Sequence, residues 1–160
     1  MKIFQFVFLS ALMLLTGCST NMTVFQEYNP GNNDKFSYFF TTVNSSNEVP
    51  QETIDVMGAR LKSALAKSSH FASNKDVEHN EIEVSFYQYN VKNTAARFAV
   101  GVLAGGDVIK TRVIVRNSQT KRRLAEFDVV SENNSAWGTT SGMIEDHADK
   151  IVNYLVANKK

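Results

Sequence analysis

Three histidines, two neighbouring glutamates and a single cysteine are the side chains of this 160-residue chain best suited to chemistry. His70, His79 and His147 fall in no metal-binding spacing such as H-E-x-x-H. His147 lies one helical turn from both Met143 and Ile151, at the border of an apolar stripe. A histidine in that position is a satisfied boundary residue, because catalysis needs base, nucleophile and orienter to converge. Glu81 and Glu83, two apart on a predicted strand, put their carboxylates about 6.6 Å apart. That separation would suit acid–base work, but both side chains project from the solvent side. There is no G-x-S-x-G elbow and no phosphate-binding loop, and Gly101, Gly105 and Gly106 lack a nucleotide-binding spacing. The expectation is therefore no enzyme, no catalytic residue, no metal and no cofactor.

Cys18 is different. Lys2 supplies a positive start, Ile3 to Leu15 an apolar run, and Thr16-Gly17 small residues before the cysteine. The apolar run is about 13 residues, against the roughly 20 that a membrane-spanning helix needs. Leu15-Thr16-Gly17-Cys18 resembles the lipobox of bacterial lipoprotein precursors, in which the cysteine sulfur is acylated and the chain is cut just before it. The resemblance implies removal of residues 1–17 and a triacylated Cys18 at the new N-terminus. One acyl chain binds a bilayer only marginally, two hold stably and three are effectively permanent. In enterobacterial lipoproteins an Asp at the next position goes with inner-membrane retention, so with Ser19 there the resemblance implies the outer membrane, facing the periplasm, with the inner membrane the weaker alternative.

Removal of residues 1–17 leaves 143, the size of one domain. Lys2 leaves with the signal, so sixteen basic side chains then face sixteen acidic ones. Such balance, with basic residues scattered apart from Lys121-Arg122-Arg123, argues against a nucleic-acid partner. Acylated Cys18 leaves no thiol for a disulfide, so the body must hold by core packing alone.

Residues 18–35 read as a lipidated, flexible tether, with a dense run of turn formers from Asn29 to Asp34. Val24, Phe25 and Tyr28 are its apolar exceptions, able to dock on the body. Residues 36–160 read as one domain. Phe36 to Asn44 is a predicted strand with apolar groups on both faces. Pro50 to Ser69 has helical spacing, with Ile54, Met57, Leu61, Ala64 and Leu65 in one stripe. Glu81 to Tyr89 alternates about Ile82, Val84 and Phe86, and the pattern breaks at Gln88, where a bulge is expected.

Val108 to Arg116 and Leu124 to Val130 form a predicted hairpin with a polar turn, Ser118 to Arg122. A register that sets Val113 near Phe127 places Arg112 across from Asp128. Met143 to Asn158 is a second amphipathic helix, for which Ser141 can act as cap. The fold expected is α+β, a two-layer sandwich with a four-stranded, mainly antiparallel sheet and two helices packed on one face.

Phe98 to Gly106 is a run of small and apolar residues between two strands, bounded by Arg97 and Asp107. It reads as the buried start of the next strand, as a partner or self-association surface, or as a lipid contact. Phe98, Val100, Val102, Leu103 and the loop indole of Trp137 are the candidate partner surface. Ala96-Arg97-Phe98 through Gly101 and Gly105, the turn Asn117 to Lys121, Leu124-Ala125-Glu126-Phe127 and the Ser/Gly-rich Asn133 to Gly142 resemble the DUF4410 lipoproteins. That family usually has Gly-Lys where this chain has Arg122, which leaves the turn geometry open. The resemblance implies a fold like the N-terminal α/β layer of TolB and carries no catalytic residues.

The function expected is a non-catalytic, membrane-tethered protein, acting in envelope assembly by binding an envelope protein or itself through the Phe98–Gly106 region and the sheet edge, since an exposed edge can accept a partner strand. The alternative is a lipoprotein that binds a small molecule or cell-wall glycan, with Trp137, Tyr87 and Tyr89 as a stacking surface.

Overall fold

The computed structural model describes residues 18–30, 34–42, 48–72, 78–92, 106–133 and 139–157. In chain order the elements are β1 (Ser19–Gln26), β2 (Phe36–Thr42), α1 (Gln51–Lys67), β3 (Asn80–Asn90), β4 (Asp107–Asn117), β5 (Arg123–Asn133) and α2 (Thr140–Ala157). The sheet has five strands in the order β1-β5-β4-β3-β2, not the expected four. The fifth is β1, which lies inside the stretch read as a tether. Its Met22-Thr23-Val24-Phe25 run suits a pleated surface, and it pairs antiparallel with β5, Met22 against Val129 and Val24 against Phe127. The sheet is mixed, because α1 crosses over between β2 and β3 and so leaves those two strands parallel.

The hairpin register is the one expected: Val113 opposes Phe127, and Arg112 opposes Asp128. The β3 bulge falls between Phe86 and Gln88. The turn after β4 adopts positive φ at Lys121 without a glycine. It is organised by Asn117, whose side-chain oxygen accepts from the Gln119 and Thr120 amides.

The core lies between the sheet and the helix layer. Met57, Leu61 and Leu65 of α1 and Met143, Ile144, Ile151 and Leu155 of α2 cover Ile82, Val84, Phe86, Ile109, Val113, Phe127 and Val129. Gly58 lets α1 approach β2 closely: an added Cβ would stand 3.3 Å from the Phe40 ring, and Tyr38 Oη donates to the Gly58 carbonyl at 2.8 Å. Arg60 of α1 donates Nε to Asp149 of α2 at 2.7 Å, tying the helices together. The chain leaving β1 passes beneath the core. Tyr28 is buried there against Phe36, its amide bonded to Tyr154 Oη, and burial pushes its phenol up to about 12. Helix α2 starts at Thr140 and is capped by Thr139, whose hydroxyl accepts from the Gly142 amide. Ser141, the expected cap, lies inside the first turn and meets Glu145 instead.

His147 sits in the core, not at its border. Its ring is fully buried, with Nε2 2.7 Å from Thr111 Oγ1 and Nδ1 2.8 Å from Ser131 Oγ. Ser131 Oγ in turn lies 2.9 Å from Thr20 Oγ1. One polar chain thus joins α2, β4, β5 and β1. Burial holds the imidazole neutral, lowering its pKa to about 3.

A histidine depressed in the folded state takes up its proton first in the unfolded chain. The stability it protects is whole above the unfolded value near 6.5 and is lost as pH falls toward 3. Urea denaturation should show stability declining by about 1.4 kcal/mol per pH unit between pH 6 and pH 4 from this group. His147→Leu should lose that contribution to the slope and be less stable at pH 7, by about 1–3 kcal/mol for the unpaired hydroxyls. Identical slopes in the two proteins would contradict the assignment.

Candidate functional site: the open sheet face and its edges

The helices cover one face of the sheet, and the other carries a lattice of paired charges. Alternation sends Glu81, Glu83, Arg112, Arg116, Glu126 and Asp128 to this outer face. Arg112 grips Asp128 with Nε and Nη2 at 2.8 and 3.1 Å, and its Nη1 lies 3.9 Å from Glu126. The hydrogen bond to Asp128 is the main reason the guanidinium pKa is raised further. Arg116 pairs with Glu83, Arg123 with Glu126, and Lys121 Nζ with Glu81 at 3.0 Å. Tyr87 Oη donates to Asp128 at 3.3 Å, and burial, then the Asp128 charge, raises its phenol pKa.

Each of these carboxylates has a cation beside it. Glu81 and Glu83 are therefore ion-pair partners of different cations, and neither is poised as a general acid. Such half-exposed pairs fix cross-strand register more than they stabilise, at about 0.2–1 kcal/mol each.

The histidines stand apart in role. His147 is sealed in the core. His70 faces Asp34 at 3.6 Å beyond the end of α1. The His79 amide takes Ser118 Oγ beside the hairpin turn. Among the described residues no three His, Cys, Asp or Glu side chains gather as a metal set.

The stacking surface proposed from Tyr87 and Tyr89 does not form. The bulge after Phe86 sends Tyr87 to the outer face, whereas Tyr89 turns inward and bonds Thr53 of α1 at 2.8 Å. Phe98, Val100, Val102, Leu103 and Trp137 lie outside the described residues, so the surface proposed from them has no geometry to report.

The sequence pointed to a sheet edge as a binding surface, but not to the strands that form the edges. Among the described residues, the exposed large hydrophobic side chains are Val24, Phe25 and Phe39, and all three lie on the edge strands β1 and β2. Phe25 reaches the outer face, where Arg112 stacks over its ring at 5.0 Å. Val24 turns the other way. With Met22, Lys150, Asn153 and Tyr154 it lines an open groove of about 350 Å³ between β1 and α2. The signal for this edge was present as Val24 and Phe25, hidden among polar neighbours and next to a turn-rich run.

Similarity to known proteins agrees with this architecture. Two structures of the PelC dodecamer from Paraburkholderia phytofirmans superpose with TM-scores of 0.58 and 0.57, at 11% and 10% identity. Each comparison covers 89% of this chain and 99% of the other. A PDZ domain protein from Parabacteroides distasonis gives a TM-score of 0.45 at 10% identity, over 98% of this chain and 40% of its own. At these identities the likeness to the PelC structures is one of fold alone. No curated relative matches the chain in sequence. Residues 22–137 match the family described as a domain of unknown function, and the chain belongs to that family, DUF4410.

Proposed function

We propose that this chain is a non-catalytic, lipid-anchored protein of the bacterial outer membrane, facing the periplasm, that works by binding protein rather than by transforming a substrate. The observation that carries the reading is the place where the fold begins: β1 starts at Ser19, directly after Cys18. A lipid on that sulfur would hold the sheet against the bilayer with no spacer, since Ser19 already pairs with Glu132 of β5. Anchoring of this kind confines the body to a surface and raises its effective concentration toward other membrane components.

Two further observations favour binding over catalysis. Glu81, Glu83, Glu126 and Asp128 of the outer face are paired with Lys121, Arg116, Arg123 and Arg112, and the buried imidazole is committed to two hydroxyls. Among the described residues, the large apolar side chains left to solvent sit on strand edges, where a partner strand can add. PelC is described as a dodecamer. The shared fold makes self-association the first form of binding to test here, an envelope protein of another kind the second.

Two measurements on cells producing the full-length chain check the reading. The wild-type protein should sediment with outer membranes and carry a triacyl mass increment on Cys18. Cys18→Ser should be released in soluble, folded form. An unmodified Cys18 in the native product would overturn the anchoring. Formaldehyde treatment of intact cells should trap the wild-type chain in larger species, and a chain that stays monomeric throughout would overturn the binding role.

A further inference from the structure

We propose that the two edges of the sheet are the halves of one interface, in which β1 of one copy pairs antiparallel with β2 of a second copy. The inference rests on the binding reading above and names the partner.

Composition is the first argument. Neither Ser19–Gln26 nor Phe36–Thr42 contains a charged residue or a proline. Edge strands are ordinarily guarded by such residues, because unpaired amides and carbonyls invite another strand. In this sheet the charges lie on β3, β4 and β5, and the exposed hydrophobics lie on the two edges.

Direction is the second. β1, β5, β4 and β3 alternate antiparallel, and β2 runs parallel to β3. β1 and β2 therefore run in opposite directions. A second copy set beside the first in the same orientation presents β1 antiparallel to β2, the pairing that edge strands form most readily.

Height is the third. Phe39 opposes Glu83, Glu83 opposes Ile114, Ile114 opposes Glu126, and Glu126 opposes Gln26. Phe25 lies next to Gln26, in the β1 bulge. Phe25 and Phe39 thus stand at the two ends of one cross-strand row, on the same outer face. A junction without stagger brings them together, with Val24 opposite Phe40, Thr23 opposite Thr41 and Met22 opposite Thr42.

Backbone polarity agrees. The Phe36 amide and carbonyl point outward from the sheet, to His70 and Ala72. Alternation gives Tyr38, Phe40 and Thr42 the same outward direction. No strand of the described residues lies on that side of β2 beyond the Phe36–Phe71 bridge. The groove lined by Met22, Val24 and Tyr154 opens beside β1 on the helix side, where the Phe40 ring of the second copy would arrive.

The contact is heterologous, so it repeats from copy to copy until a ring closes. Every N-terminus then points the same way, as anchoring to one bilayer requires. An isologous β1–β1 pair would point two N-termini in opposite directions.

Thr23 and Thr41 would form a non-hydrogen-bonded pair with Cα atoms about 4.5 Å apart, within disulfide reach. The test uses full-length protein in native membranes, carrying Thr23→Cys, Thr41→Cys or both, under mild oxidation. The double variant should give a ladder of dimers, trimers and higher species, and each single variant none. Phe39→Lys and Val24→Lys should abolish the larger species seen by native mass spectrometry in detergent while leaving the circular dichroism spectrum unchanged.

A ladder from Thr23→Cys alone would mean isologous pairing and overturn the proposal. Multimers without a double-variant ladder would overturn the edge assignment and leave the binding role standing. A monomer that captures a different protein would overturn self-pairing alone. A monomer that captures nothing would end both.

Discussion

A neutral imidazole held between two strand hydroxyls fixes the relation between the layers. His147 reaches Thr111 on β4 and Ser131 on β5, and Ser131 passes the contact to Thr20 on β1. Burial keeps the ring uncharged, so one nitrogen donates to a hydroxyl and the other accepts from one. A helix resting on aliphatic side chains alone could slide by a turn at modest cost. A buried polar group with two required partners cannot, because a shift would leave hydroxyls and ring nitrogens unpaired in the core. Through this group α2 lies across β4 and β5, and β1 is drawn into the sheet.

Among the described residues, the helices cover one face of the sheet and leave the other face and both edges uncovered. The outer face is polar and internally neutralised, so it offers no strong field for steering a charged partner. The edges are the reverse: uncharged, partly apolar and, among the described residues, paired with a sheet neighbour on one side alone. With the proposed lipid on Cys18, one of these edges would begin at the bilayer surface. Strand addition at such an edge gains its hydrogen bonds from the backbone and its register from the alternating side chains.

Most of the architecture was legible in the residues. Helical spacing in Met57-Leu61-Leu65 and alternation in Ile82-Val84-Phe86 marked α1 and β3. The complementary signs of Arg112 and Asp128 revealed the hairpin register, and the mismatch at Gln88 revealed the bulge. The edge strand β1 was not legible as a strand. Its polar residues are those of a linker, and what makes it a strand is the hydrogen-bonding edge of β5, a tertiary partner 97 or more residues away. His147 was misplaced for a related reason. Its helix position put it beside the stripe, and only the hydroxyls of Thr111 and Ser131 make full burial of an imidazole tolerable. Which strands are the edges went unread because edge and centre are properties of strand order, which periodicity along one strand does not encode.

Amide hydrogen exchange on the full-length protein in its native membrane tests the central claim most directly, because it reads the edge backbones themselves. Strand addition predicts that the amides of Met22, Val24, Tyr38 and Phe40 exchange as slowly as those in the middle of β4. Exchange at those four amides as fast as in the Ser118–Lys121 turn would show bare edges, and would contradict the account.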